Sequence, residues 1–365
     1  MKLNGTISRR DFLKLGGAGL LGLLMAELGL NRAPAHAVGN SSLEGRVAFL
    51  EVPVYDEPSF QGNSYNTLYK DSVIPISGKV LGGMPEDYNR TWYRIGESGY
   101  VHSGGIQLVE NVLNPVISDI PASGMLGELS VPFAEAWWGI HRTDPAIAYR
   151  VYYQSTHWIL DVFRDPRDTS PWYRVYDHLY DANYYIRPSY IRLIPPEQLS
   201  PLSADIPPEE KHIEVLLDQQ MLVAYEFEEP VYMARTATGK QGAETPTGRF
   251  TTFHKRPTAH MAGGDGISSL YDLAGVPFAS YITDTAIAFH GTFWHNDFGK
   301  PRSFGCINLS PKDARWIFRW TLPTIPPERY FLYEPGTGTE VLIGENHSHI
   351  LHLRKIRNLI RRTIT

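Results

Sequence analysis

The stretch FHGTFWHNDFGKPRSFGCINL, residues 289–309, holds the only cysteine among 365 residues. A chain with one cysteine cannot close an internal disulfide, so Cys306 is either a small buried hydrophobe or a reactive thiol. The apolar run TAIAF, residues 285–289, predicts a buried strand ending at His290, with Gly291 where the chain must turn. A Gly-rich, Pro-containing loop leads back to Cys306, sixteen positions after His290. In SPKDARWIFRWT, residues 310–321, a capping Ser310, Pro311 at the first helical position, and Ala314, Ile317 and Phe318 at helical spacing predict a helix. Strand, loop and helix start thus bring an imidazole and a thiol together. A thiol with an ordinary pKa of about 8.5 needs a base or an electropositive setting to react at neutral pH. His290 is the candidate base and Cys306 the candidate nucleophile. Gly305 lets the backbone approach a bound carbonyl, and the amides around Gly305 and Cys306 are candidate oxyanion donors. The alternative is a zinc site of His290, His295, Asp297 and Cys306, whose spacing matches no common helical ligand pair.

Upstream, HIEVLL (residues 212–217), a polar break and MLVAYEF (221–227) predict a β-hairpin, and PVYMARTATG (230–239) a third strand, so the last domain opens near Lys211. Proline-rich stretches at 111–123 and 195–210 read as extended connectors. TWYRI (91–95) aligns with PWYRV (171–175), and the related segments GYVHSGGIQLV (99–109) and YYIRPSYIRLI (184–194) follow. Their period-two alternation predicts half-buried strands, and their recurrence two copies of one β module. The expected domains are modules over 44–110 and 124–195, a catalytic domain over 211–343, and a basic tail over 344–365 that forms an amphipathic helix. That helix either packs on its parent domain or meets an anionic surface. Strand-favouring residues, 27 Pro and 32 Gly predict a mainly β protein with a few short helices.

Residues 1–37 predict an export signal: SRRDFLK precedes an apolar run from Leu15 to Leu30, and Ala35-His36-Ala37 forms a small-residue cleavage site. Arg9 and Arg10 followed by Phe12, Leu13 and Lys14 resemble a twin-arginine signal. Retained, the same segment would be a membrane anchor. Its removal, with net charge +3, takes the chain from −5 to −8 and implies no nucleic-acid partner. The expected location is the cell envelope, periplasm or wall.

The cysteine segment resembles the active-site motif of L,D-transpeptidases of the YkuD type, in which a His is followed some 15 residues later by Ser or Thr, then His, Gly, Cys, an aliphatic residue and Asn or Arg. Here His290 precedes Ser303-Phe304-Gly305-Cys306-Ile307-Asn308, and TPTGRF (245–250) is similar to the family's TPTG turn. The two β modules resemble bacterial Src-homology-3-like barrels, as wall binders or as spacers. The resemblance implies a cysteine acyltransferase acting on peptidoglycan stem peptides without a cofactor. It forms 3→3 cross-links, attaches an envelope protein, or, with water as acceptor, acts as an L,D-carboxypeptidase. It implies Cys306 as nucleophile, His290 as base and Gly305 and Ser303 as loop support. Gly291, Thr292, Trp294, His295, Tyr271 and Asn308 are candidate substrate-binding residues; Thr245, Thr247, Tyr271 and Trp294 either line the substrate channel or have a structural role. Phe304 departs from the family histidine at its position; His295 is a candidate substitute imidazole, and a non-catalytic wall-binding protein is the competing reading. HMAGGDG, 260–266, reads as a mobile loop beside the site.

Overall fold

The computed structural model describes residues 43–84, 87–140, 142–263 and 271–364. The expected export segment lies outside them, as do residues 264–266 of the glycine-rich loop. The protein is mainly β, with five sheets and two α-helices among the described residues. The reason is visible strand by strand. Glu51–Tyr55, for example, buries Val52 and Val54 and exposes Glu51 and Pro53, as a strand with one face on a core must.

The first segment builds two sheets, one of three strands from Glu44–Val47, Val73–Pro75 and Ile106–Val109, the other of five strands. Val47, Val52, Val54, Tyr93, Val101 and Ile106 form the core between them. Residues 125–193 form one seven-stranded sheet around Leu129, Val151, Ile159, Tyr173 and Ile186. The aligned motifs fall on matching elements. Thr91–Ile95 pairs with Gly99–His102, and Pro171–Asp177 with Ala182–Ile186. Each pair is followed by a 3-10 turn, Ser103–Gly105 or Pro188–Tyr190, and a closing strand, Ile106–Val109 or Ile191–Leu193.

The last segment stacks two five-stranded sheets. In the first, Lys211–Leu216 runs antiparallel to Met221–Glu226 and parallel to Glu340–Gly344. It is buried along its whole length because both faces are covered. Ile213, Val215 and Ile343 meet Phe289, Ile307 and Leu309 of the other sheet, while Leu216 and Leu342 meet Ile350 and Leu353 of the C-terminal helix His347–Ile364. That helix also turns basic residues inward: Arg354 pairs with Glu214, and buried Arg357 with Glu228 and Glu340.

The second sheet carries the site. Its order is Ile307–Leu309, Ala288–Gly291, Tyr271–Tyr281, His254–Gly263, Leu332–Tyr333, and the first two strands are parallel. Helix Pro311–Trp320 follows at once. Ser310 caps it, accepting from Asp313 N at 3.1 Å. Ala314, Ile317 and Phe318 are buried, each large apolar side chain contributing about 1.5–3 kcal/mol. Fully buried Lys255 donates to the Phe318 and Thr321 carbonyls at its C-terminal end. The strand expected over 285–289 begins later, at Ala288. Thr283 Oγ1 accepts from Ile287 N at 3.0 Å and Ala286 has φ +67°, so a tight turn occupies the first part of the apolar run. The connector over 195–210 is fastened down: Arg315 and Arg319 donate to Gln198 and Ser200 carbonyls, and Lys211 Nζ to Leu202 O.

Candidate active site

Two adjacent parallel strands place the imidazole beside the segment that carries the thiol. Phe289 lies opposite Ile307 and His290 opposite Asn308. Cys306 immediately precedes the strand Ile307–Leu309, two residues before Asn308. Cys306 is partly exposed, with its Sγ 3.6 Å from Ala286 O.

The turn before Cys306 is held from three sides. Ser303 Oγ donates to Cys306 O at 2.6 Å and accepts from Gly305 N at 3.1 Å. Thr245 Oγ1, in the TPTG-like segment, donates to Gly305 O at 2.8 Å and accepts from Gly239 N at 2.8 Å. Isolated bridges Ala237↔Asn308 and Gly239↔Ser303 tie the chain after the third strand to both ends of the turn. Gly305 has φ +112°, a conformation that a residue with a Cβ adopts only with strain. One expectation changes here, and one open choice is decided. The Gly305 amide is engaged by Ser303, so it is not an available oxyanion donor. Buried Thr245 braces the nucleophile turn instead of lining a channel, while Thr247 is exposed.

His290 is buried and its Nδ1 lies 3.1 Å from Gly291 O. The carbonyl only accepts, so the ring proton is on Nδ1, leaving Nε2 as a lone pair with no protein partner among the described residues. Burial pushes this imidazole down to about 4 and the Cys306 thiol up to about 11. Those values lie on the wrong sides for a preformed thiolate–imidazolium pair, each unit costing about 1.4 kcal/mol. At neutral pH the proton stays on sulfur, and the arrangement suits proton transfer concerted with attack.

The rim is aromatic. The Trp294 ring lies 5.7 Å from that of His290. Tyr271 stacks on Phe304 at 5.6 Å, and Lys240 Nζ lies 4.1 Å from the centre of the same Phe304 ring. Burial raises the Tyr271 phenol, and a charge on Cys306 adds to the rise. Tyr281 is pushed up to about 12, chiefly by burial, with Cys306 also contributing. Lys240 and Tyr281 carry no motif in the sequence; only the return of the chain to the site marks them. Phe304 is 43% exposed, a half-open lid between Tyr271 and Lys240.

Other candidates turn inward. Thr292 is buried with its N–H on Leu309 O at 2.9 Å, and Gly291 packs against Pro277 and Pro311. His295 is buried, Nδ1 accepting from Asp297 N at 3.2 Å and Nε2 facing the Asn308 amide at 3.0 Å. With Nδ1 accepting, the ring proton sits on Nε2, so the amide end facing it is the oxygen. The isosteric NH2 then takes the other end, which is buried and without a partner. Both His295 nitrogens are engaged, so it does not serve as a substitute base. The zinc set does not assemble either, because Asp297 is turned to Tyr88 and Arg302.

Residues 210–343 match the family model described as the L,D-transpeptidase catalytic domain, YkuD. Among solved structures, the chain is similar to an L,D-transpeptidase from Mycobacterium smegmatis, at 22% identity over 37% of this chain and 58% of that one, with a TM-score of 0.31. It is similar to L,D-transpeptidase 3 from Mycobacterium tuberculosis in complex with a faropenem-derived adduct, at 18% identity over 37% and 60%, with a TM-score of 0.30. A third is the catalytic domain of an Enterococcus faecium L,D-transpeptidase, at 23% identity over 37% and 98%, with a TM-score of 0.30. The chain thus spans about three fifths of the length of the mycobacterial proteins that it matches. No curated protein matches it.

Proposed function

We propose that the protein is an exported cysteine acyltransferase that acts on peptidoglycan stem peptides in the cell envelope, forming 3→3 cross-links or attaching an envelope protein. The observation that carries this reading is the register of His290 with the strand that immediately follows Cys306, combined with the Nδ1 tautomer that leaves Nε2 free. Cys306 Sγ attacks the carbonyl carbon of the stem's diamino acid while its proton passes to His290 Nε2. The carbon–nitrogen bond breaks, the proton goes to the departing D-alanine nitrogen, and a thioester remains. An acceptor amine then gives a proton to His290, attacks the thioester carbonyl and releases the thiol. With water as acceptor, the same steps make an L,D-carboxypeptidase. The acyl energy is kept in the thioester, so no ATP is needed. The Cys306 N–H is then the oxyanion donor, because Ser303 engages that of Gly305.

The test is mass spectrometry after incubation with a carbapenem, comparing the full chain with Cys306→Ala. A covalent adduct is expected in the first alone. Folded protein with no adduct in either would favour the competing reading, a non-catalytic wall-binding protein, to which Phe304 in the histidine's place lends support. Analysis of digested wall material then separates cross-linking, attachment and trimming.

A further inference from the structure

The loop between base and nucleophile, residues 292–302, is anchored both on the catalytic segment, where the Gly299 and Arg302 N–H groups donate to Thr236 O and Thr238 O at 2.8 Å, and on the first β segment. Tyr88 donates its hydroxyl proton to buried Asp297, which also accepts from Arg302 and lies 3.4 Å from Lys300 Nζ. Asn296 donates to the 3-10 turn Ser103–Gly105, N–H to Gly104 O at 3.0 Å and Nδ2 to Ser103 O at 3.4 Å. A Cβ on Gly104 would lie 2.5 Å from Asp297 Oδ1, so the approach depends on glycine. Arg235 Nη1 donates to Tyr88 O at 2.7 Å, closing the contact from the catalytic segment.

From Asp297 the contacts run inward. Its N–H fixes the His295 tautomer, His295 holds the Asn308 amide, and Asn308 stands opposite His290 and two residues beyond Cys306. Burial alone would raise the Asp297 carboxyl, but the Tyr88 hydrogen bond and the Arg302 and Lys300 charges hold it low. The carboxylate is therefore charged and committed to these donors, and losing one of them displaces the loop.

We propose that Tyr88 and Asp297 are positioning residues for the Cys306–His290 pair, acting through His295 and Asn308, so that the first β segment is a working part of the active site and not a spacer. The proposal rests on Cys306 being the nucleophile.

Tyr88→Phe removes one hydroxyl, and Asp297→Asn one charge. In the full chain each is expected to lower the second-order rate of Cys306 acylation by a carbapenem on the order of tenfold. Each also shifts the pH profile of Cys306 alkylation by iodoacetamide, because the groups facing the thiol move. In a His295→Gln background, Tyr88→Phe adds no further loss, since members of one chain of contacts are not additive. A lower melting temperature with acylation rate and alkylation profile both unchanged overturns the proposal, as does full additivity in the His295→Gln background. Alkylation needs no acyl donor. If the wild type resists the carbapenem, the acyltransfer reading fails, and the alkylation profile still judges the positioning role.

Discussion

His290 and His295 lie in two neighbouring regions, the end of a strand and the loop that leaves it. Both are buried, and burial pushes both imidazoles far down, to about 4 and about 3. Their partners differ. His290 engages one nitrogen with the carbonyl of the next residue and keeps the other as a lone pair, on a residue paired with Asn308 two positions beyond the thiol. His295 engages both, one with the Asp297 amide and one with Asn308. Burial fixes the charge of an imidazole, but hydrogen bonding decides whether it reacts or braces.

The largest expected effect tests that division directly. His290→Gln removes the proposed base and should slow acylation of Cys306 by about 10²- to 10⁴-fold. His295→Gln should cost roughly tenfold, because it loosens Asn308 without removing a reacting group. Stopped-flow acylation kinetics of both variants check this, and a larger loss for His295→Gln would break the comparison.

The next effect is on stability. The folded pKa of His290 is depressed below its ordinary value near 6.5, so the unfolded chain takes up the proton first as the solution is acidified. Stability from keeping it neutral is present above about pH 6.5 and is lost as pH falls toward 4, on the order of 3 kcal/mol for this residue. His295 and His157, which burial lowers to about 3, act in the same direction. His260 has the opposite sign. Burial works to lower it, but hydrogen bonds to Asp177 of the second β segment and Asp272 raise it overall. Its contribution is full below about pH 6.5 and fades as pH rises through its folded pKa. Denaturant unfolding across pH 4–9 should show both limbs. His290→Gln should flatten the acid limb and Asp177→Asn the alkaline one.

The smallest effect sharpens the comparison by adding a third imidazole. Phe304→His places one at an exposed rim position, between Tyr271 and Lys240, with neither the burial of His290 nor the paired partners of His295. Acylation should be retained or rise, within about tenfold. A larger loss would show that the Tyr271–Phe304–Lys240 stack itself shapes the pocket.

Much of this was legible because it is local. The capped helix after Cys306, the hairpin from Lys211 and the alternation in TWYRI and PWYRV each follow from a few neighbouring residues. The Thr283–Ile287 turn was not, since TAIAF has the composition of a strand and only the Ala286 backbone betrays the turn. The Gly305 amide was misjudged, and the role of Thr245 left open, for a related reason: both make hydrogen bonds whose partners depend on how the turn closes. Tyr281 gave no signal at all, being one aromatic among many in a long strand.

By itself the sequence determined the class of fold and the two candidate reacting groups, because hydrophobic period, caps and a solitary thiol sixteen residues from a histidine are properties of the chain. Only the tertiary structure decided which nitrogen of His290 is free, that His295 braces, and that Tyr88 reaches Asp297 across 209 residues of sequence. The physical reason is that a hydrogen bond depends on position and direction in space, and no period in a sequence encodes the partner of a buried polar group.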